Sequence, residues 1–166
     1  MLIDVTRLIQ RALKGMLPTG VDRVGSAYVH HYAACASALV RVAGRWVVLG
    51  PSASRRVFDT LIDPGPGAAR RLVWNVARGV ASSAQRTGQV LINAGHSGLE
   101  HPRYAHEVRR RRLRAVYFLH DLIPISHPDY CRAGEDRRHH LTHRTKKDTG
   151  KPLIVNTLAT RAAASD

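Results

Sequence analysis

The sequence predicts an α/β fold, a Rossmann-like and mainly parallel sheet with helices on both of its faces. Short apolar runs rich in Val, Leu and Ile alternate with longer helical segments along most of the 166 residues, which is typical of parallel sheets. Hydrophobic residues make up 44% of the chain and aromatic residues only 5%, so the predicted core is mainly aliphatic. This length allows one domain with its own core, and we expect a single domain over residues 1–166.

The first half of the chain predicts three strands and four helices. Apolar runs bounded by turn residues predict the strands Met1–Val5, Ala38–Val42 and Trp46–Leu49, the last two joined as a hairpin or following one another. Apolar residues at helical spacing predict the helices Thr6–Lys14, Asp22 to about Ala36, Ser52 or Ser54 to Leu61, and Ala68–Ala84. In the last helix, we expect the apolar stripe to comprise Leu72, Val73, Val76, Ala77 and Val80, with arginines on the outer face.

The second half of the chain continues the same alternation. Apolar runs predict the strands Val90–Asn93, Ala115–Leu119 and Leu153–Asn156. Between and after them we expect the segments from His101 to the run Arg109–Arg112, Ala133–Lys147 and Leu158–Ala164 to be helical. The connections between parallel strands should be right-handed.

The strong positive charge predicts an anionic partner. The formal net charge is +14, from 26 Lys and Arg against 12 Asp and Glu, which suits nucleic acid, a phosphorylated small molecule or an anionic membrane surface. The densest run is Arg109, Arg110, Arg111 and Arg112, which could contact lipid or nucleic-acid phosphates or simply form a solvated helix end. No zinc-finger, RNA-binding or helix-turn-helix pattern accompanies it, so sequence-specific nucleic-acid binding is not expected.

The sequence favours a cytoplasmic protein without a metal or a disulfide framework. The amino-terminal residues lack the apolar core of a signal peptide, and no run of about 18 apolar residues predicts a membrane span. The two cysteines, Cys35 and Cys131, are far apart. A group of potential metal ligands has no recognised zinc spacing, so a solvated basic helix face is the favoured interpretation; its members are His127, Cys131, His139, His140 and His143.

Three strand-end loops predict a ligand site at the carboxyl edge of the sheet, where open α/β sheets bind their ligands. His120 and Asp121 follow a buried strand, and an imidazole beside a carboxylate can transfer a proton or bind a sugar hydroxyl. The alternative is that both residues cap the turn that follows. His96 ends a similar loop, with an exposed loop histidine as the alternative. Gly20 precedes a helix whose amino terminus suits a phosphate, with an ordinary turn as the alternative.

Five sequence blocks resemble the amino-terminal half of bacterial family 4 glycosyltransferases, the "group 1" type with the GT-B fold. In chain order they are LIDVTRLI, LPTGVDRV, LINAGHSGLEHPRYA, YFLHDLIPISHPDYCRAGE and LIVNTLATR. Their order and spacing fit over nearly the whole chain, from Leu2 to Arg161. The combination of HDLIP with the following HPDYC is specific to one branch of that family.

The resemblance implies a retaining transfer of a hexosyl group from a nucleotide-sugar donor to a saccharide or lipid-linked acceptor, without a metal. This chain would be the acceptor-side domain. Carried over onto this sequence, the resemblance implies that His120, with Asp121 beside it, contacts the transferred sugar. It also implies that a loop near the donor phosphates contains Thr19, Gly20 and Val21, with Arg23 after it, and that His96 and Ser97 face the same cleft.

Two features depart from the family's pattern. The chain ends at Asp166, so the carboxyl-terminal donor domain is expected to be absent and a second chain or a missing domain would complete the cleft. The stretch Lys146–Lys151, KKDTGK, stands where an apolar helix is expected. The alternative function is a basic module that binds nucleic acid or an anionic membrane without catalysis. In either case we expect a cytoplasmic protein, with peripheral contact at the inner face of the membrane through Arg109–Arg112.

Overall fold

The computed structural model describes residues 1–81, 87–119 and 134–155. Its elements, in chain order, are β1 (Leu2–Asp4), α1 (Thr6–Leu13), α2 (Gly20–Tyr32), β2 (Ser37–Val42), β3 (Arg45–Val48), α3 (Pro51–Ile62), α4 (Ala68–Ala81), β4 (Val90–Asn93), α5 (Pro102–Arg110), β5 (Arg114–Leu119), α6 (Glu135–Thr149) and β6 (Gly150–Val155). The predicted helix Leu158–Ala164 lies outside the described residues.

The strands form one sheet in the order β3-β2-β1-β4-β5-β6. Every neighbouring pair is parallel except β2 and β3, which form an antiparallel hairpin through Ala43 and Gly44. The α/β class and the mainly parallel sheet are therefore confirmed.

Helices cover both faces of this sheet, and neighbouring residues of each strand point to opposite faces. On one face, Ile3 and Val40 pack with α1 to α4 in a cluster that includes Phe58 and Leu72. On the other face, alternate strand residues pack against α5; this second cluster includes Leu2, Leu39, Leu91, Tyr104 and Tyr117. The continuous apolar runs of the sequence are explained by burial on both sides.

Two predicted helix starts are wrong. Helix α2 begins at Gly20 after Thr19, while Asp22 lies at its third position and its side chain accepts hydrogen bonds from Thr19. Helix α3 begins directly at Pro51, whose fixed φ suits the first turn of a helix. Ser54 does not cap that helix: its buried hydroxyl donates to Leu49 O and accepts from Ala38 N–H, which joins α3 to β2.

Helix α4 buries less of its apolar stripe than the spacing predicts. Leu72 and Val76 pack in the core, but Val73 and Val80 are 55% and 42% exposed. Residues 82–84 of the predicted helix lie outside the described residues.

The carboxyl-terminal elements have different bounds from those that the sequence predicts. Helix α6 continues to Thr149, two residues beyond the predicted end at Lys147, and β6 begins directly after it at Gly150. The register between β5 and β6 shifts by one residue between the pairs Ala115–Gly150 and Tyr117–Leu153. The irregularity coincides with Pro152, which has no N–H to donate to a ladder.

None of the described helices is both long enough and apolar enough to cross a bilayer.

Candidate functional site

The strand order reverses between β1 and β4. Strand β1 has β2 on one side and β4 on the other. The strands β2 and β3 therefore extend the sheet in one direction from β1, and β4, β5 and β6 extend it in the other. The segment after β1 enters α1 on one face, and the segment after β4 leads to α5 on the other face. Open α/β sheets usually bind their ligands at such a reversal, beyond the carboxyl ends of the two strands, here β1 and β4.

Two buried polar side chains, Asp4 and Asn93, form the floor of this edge. Asp4 Oδ1 accepts a hydrogen bond from Thr6 N–H at 3.0 Å, and Asp4 Oδ2 lies 3.5 Å from Asn93 Nδ2. Asn93 Nδ2 also donates to Tyr104 Oη at 2.8 Å, and Asn93 Oδ1 accepts from Gly95 N–H at 3.1 Å. Burial raises the pKa of Tyr104 well above its usual range, so its hydroxyl stays protonated.

Arg41 connects β2 to the loop after β4. Its Nε lies 3.3 Å from Asp4 Oδ2, and its Nη2 donates to Ser97 Oγ at 2.7 Å. The guanidinium lies 5.4 Å from the centroid of the Tyr104 ring. Gly98 has φ +76°, and a Cβ there would overlap Arg41 Nη1, so only glycine lets the loop approach this side chain.

A cleft of about 680 Å³ opens beside Arg41, between the β2–β3 hairpin and the amino terminus of α5. Its polar and aromatic lining comprises Thr6, Gln10, Arg41, Trp46, His101, Arg103 and Tyr104. None of the described lining residues is a carboxylate, whereas two are arginines. Gln10, His101 and Arg103 are exposed, so their side chains can reach a bound molecule. A polar, cationic cleft of this kind suits a hydroxylated ligand that carries a negative charge.

The predicted glycine loop is occupied by the chain's own carboxylate. Asp22 is buried and accepts from Thr19 N–H and Oγ1 at 2.7 Å. Arg7 Nε lies 2.8 Å from Asp22 Oδ1, and Arg11 Nε lies 2.7 Å from Asp22 Oδ2. Burial alone would raise the pKa of Asp22, but the hydrogen bonds from Thr19 and the Arg7 contact outweigh it and lower the pKa. Asp22 thus neutralises cations that a donor phosphate would otherwise meet.

The other residues predicted for this loop, Thr19, Gly20, Val21 and Arg23, do not line one common site. Val21 and Gly95 line one crevice, but it holds only about 10 Å³. Thr19 and Gly20 are exposed at the start of α2. Arg23 is exposed and lines a different groove, with His30 and Pro64. The structure therefore brings Val21 to the crevice edge and does not bring Arg23 there.

His96 contacts a buried lysine that sequence reasoning missed. His96 is half-buried with φ +56°, and its Nε2 lies 2.5 Å from Phe118 O at the end of β5. Lys146 is only 2% exposed; its Nζ donates to Phe118 O at 2.6 Å and lies 3.1 Å from His96 Nε2. The stretch that departs from the family pattern therefore contributes a buried lysine side chain beside a predicted site residue.

The predicted catalytic residues His120 and Asp121 lie outside the described residues, as do His127 and Cys131. Their roles stay predictions. Within residues 1–81, 87–119 and 134–155, no group of three or more His, Cys, Asp or Glu side chains could hold a metal. Cys35 is a free, exposed thiol.

The basic run Arg109–Arg112 does not line the cleft and is partly neutralised. It ends at the amino edge of the sheet, where Arg111 O accepts from Gly88 N–H. Arg110 donates two hydrogen bonds to Glu107, and the mostly buried Arg111 donates to Glu107 and to Trp46 O. A membrane or nucleic acid would therefore meet fewer unpaired cations here than the sequence suggests.

Comparison with protein-family models, with curated proteins and with solved structures finds no match for this chain. The glycosyltransferase resemblance therefore rests on the five sequence blocks and stays a prediction.

The pair formed by Glu107 and Arg110 should stabilise the fold in a pH-dependent way. Hydrogen bonds from Arg110 outweigh burial and lower the pKa of Glu107 from 4.5 to about 2. A lowered carboxyl pKa contributes stability that is complete above the unfolded-state pKa and is lost as pH falls through the folded-state value. We expect Glu107→Gln to lower the urea midpoint above pH 5, and the difference from the unmodified chain to vanish near pH 2.

The control for this prediction is Glu100→Gln, because the only cationic side chain within 4.0 Å of Glu100 among the described residues is the exposed His101, at 3.9 Å. Urea unfolding of the three proteins between pH 2 and 7 makes the comparison. A loss on Glu107→Gln that stays constant over this range would contradict the pairing.

Sequence reasoning missed Asp4, Arg41, Asn93 and Tyr104 as parts of the site. Asp4 and Asn93 each end a strand, so the reversal of strand order would have pointed to them had it been known. No local pattern marks Arg41 or Tyr104, because each reaches the edge through long-range packing.

Proposed function

We propose that this chain is the acceptor-side domain of a retaining glycosyltransferase. It would act in the transfer of a hexosyl group from a nucleotide-sugar donor to a saccharide or lipid-linked acceptor. The observation that carries the proposal is the cleft of about 680 Å³ at the carboxyl edge, beside the reversal of strand order. A Rossmann-like fold alone hosts many activities, so the cleft and the sequence resemblance are both needed.

The chemistry of the cleft suits a saccharide. Gln10 can donate to and accept from sugar hydroxyls, and the half-buried Trp46 ring provides an apolar surface for a sugar face. Arg103 is exposed and has no ion-pair partner among the described residues, so it is free to bind a carboxylate or phosphate of the acceptor. Asp4 and Ser97 hold Arg41 in place before any ligand arrives.

The resemblance assigns the chemical step to other residues. His120 would contact the transferred sugar, with Asp121 beside it, and the nucleotide-sugar would be a co-substrate with no metal. Because Asp22 already engages Arg7 and Arg11, the donor phosphates would be bound mainly by another part of the complete enzyme.

The test is binding by the whole chain, followed in amide and indole NMR spectra. The probes are glucose, glucuronic acid, glucose 1-phosphate and inorganic phosphate. We expect the charged sugars to shift the signals of Trp46 and Arg103 more than glucose does. Arg103→Ala should weaken that binding by about ten- to a hundredfold, since a charge-assisted hydrogen bond contributes roughly 1.5–3 kcal/mol. Arg55→Ala removes an exposed arginine of α3 that does not line the cleft, and it should bind as the unmodified chain does.

Two results would overturn the proposal. One is the absence of shifts in the cleft with every sugar at millimolar concentration. The other is equal binding of inorganic phosphate and glucose 1-phosphate, because a saccharide site should gain affinity from the sugar.

A further inference from the structure

The outer side of α4 is unusually apolar for an exposed helix. Val73, Trp74 and Val80 are 55%, 62% and 42% exposed, while Leu72 and Val76 on the inner side are buried. Leu13 at the end of α1 and Val42 on β2 are a further 43% and 40% exposed. These five residues, here called the α1–α4 face, are a majority of the nine large hydrophobic side chains exposed in the described part of the chain.

Four of the five members of this face are contiguous, and the fifth, Trp74, lies beside them on α4 without lining their groove. Leu13, Val42, Val73 and Val80 line one groove of about 410 Å³, and Trp74 follows Val73 on the same helix. Scattered exposed hydrophobic residues need no explanation, but a contiguous patch indicates an interaction surface.

Cations surround the patch, and acidic residues are absent from its helices. Arg70, Arg71 and Arg78 are exposed on α4, and Lys14 follows α1. Neither α1 nor α4 contains Asp or Glu. Within the described residues, none of the three α4 arginines pairs with a carboxylate; Arg71 bonds to carbonyls of its own loop, and Arg78 lies 5.9 Å from the Trp74 ring. These cations are therefore available to an anionic partner.

We propose that the α1–α4 face docks on an anionic membrane surface. Tryptophan and aliphatic side chains flanked by arginines, on a helix without acids, have the composition of helices that lie in the headgroup region. A nucleic acid would use the cations but gain nothing from Val73, Val80 and Leu13. A protein partner or a second copy would need an acidic surface to match the arginines, whereas the whole chain carries +14. Negatively charged lipid satisfies both the charge and the apolar patch.

The position of the face supports this assignment. The apolar groove and the polar cleft share the walls Thr6, Gln10, Arg41 and Ala43. A chain docked through the α1–α4 face would therefore open its cleft beside the bilayer surface. This last link rests on the proposed function, and it favours a lipid-linked acceptor whose saccharide enters the cleft. The docking itself does not depend on any transfer reaction.

The test uses the whole chain and vesicles of phosphatidylcholine with or without an equal share of phosphatidylglycerol. The chain has two tryptophans, so Trp46→Phe leaves Trp74 as the single indole reporter. We expect cosedimentation and a blue shift of Trp74 emission with the anionic vesicles, and neither with the neutral ones. Arg70→Gln with Arg78→Gln should weaken binding about thirtyfold, from the effect of two basic residues near an anionic surface.

A second double variant, with the same change in charge at another place, tests whether the α1–α4 face is the membrane-binding surface. Arg109→Gln with Arg112→Gln removes the same charge from the amino edge of the sheet and should change the affinity by less than about twofold. Trp74→Ser should weaken binding with the charge unchanged. The substituted arginines of both double variants are exposed. The urea unfolding midpoint of each variant, compared with that of the unmodified chain, will show that the variants fold.

Several outcomes would overturn the proposal. One is Trp74 emission that does not shift with anionic vesicles. Another is an equal loss of vesicle affinity in the two double arginine variants. A third is a dimer in solution that dissociates in the Trp74→Ser variant. A fourth is tighter binding to duplex DNA than to anionic vesicles, with the same dependence on Arg70 and Arg78. That result would make nucleic acid, and not a membrane, the partner of this face. Failure of sugar binding in the cleft would leave the docking result unaffected, so the two proposals fail separately.

Discussion

Asp4→Ala should destabilise the fold by about 3–5 kcal/mol, because it removes one partner of a buried ion pair and leaves Arg41 uncompensated. Thr6 N–H would lose its acceptor, and Asn93 would lose a neighbour. A domain of this size has a total stability of about 5–15 kcal/mol, so the loss would be a large fraction of it. Urea unfolding at neutral pH measures the effect.

Asp59→Ala is the control for this prediction, because Asp59 is an exposed carboxylate on α3. It should change the stability by less than about 0.5 kcal/mol. The double variant Asp4→Ala with Arg41→Met should recover part of the loss, since it removes both charges. A loss below about 1 kcal/mol for Asp4→Ala alone would show that this edge does not depend on the ion pair.

Gly79→Ala and Gly25→Ala should change stability in opposite directions, although both replace a glycine inside a helix. A Cβ at Gly79 would lie 2.4 Å from Leu49 Cδ2, a fully buried side chain. Overpacking of this kind costs about 1–3 kcal/mol. A Cβ at Gly25 would lie 3.5 Å from Leu8 Cδ1, an ordinary contact, so the better helix propensity of alanine should stabilise by about 0.5–1 kcal/mol.

Thermal unfolding of the two variants makes this comparison directly. The sign is the informative result, because helix propensity alone would predict a gain at both positions. A gain at Gly79 would mean that α4 moves away from Leu49 at little cost, and the tight packing of α4 on this residue would then be refuted.

The sheet was predictable because its strands are continuous apolar runs. Leu91 and Ile92 are both buried, one on each face, so a parallel strand shows an uninterrupted hydrophobic pattern that is easy to recognise. The edge site was predictable only in part. His96 and Ser97 could be placed there because they follow a strand, whereas the partners of His96 come from residues 22 and 50 positions further along the chain.

Long-range contacts explain the errors in the prediction. Asp22 was expected to begin α2 because acidic residues are common helix caps, but Arg7 and Arg11 bind it at the third helical position. Lys146 was predicted only as part of a charged helix; a buried lysine is rare, and its burial depends on partners that no local pattern reveals. Val73 matches the helical period of the core, yet its exposure depends on how little of α4 the neighbouring elements cover.

The register shift beside Pro152 has a consequence for the behaviour of the protein in concentrated solution. Within the described residues, β6 is the outermost strand on its side, so one row of its backbone groups has no neighbouring strand. Such a row can template the addition of a strand from another molecule, which leads to aggregation. A proline and an irregular register interrupt the regular backbone that this growth requires. Within the described part of the chain, this irregular border is therefore a poor template for fibrous self-assembly.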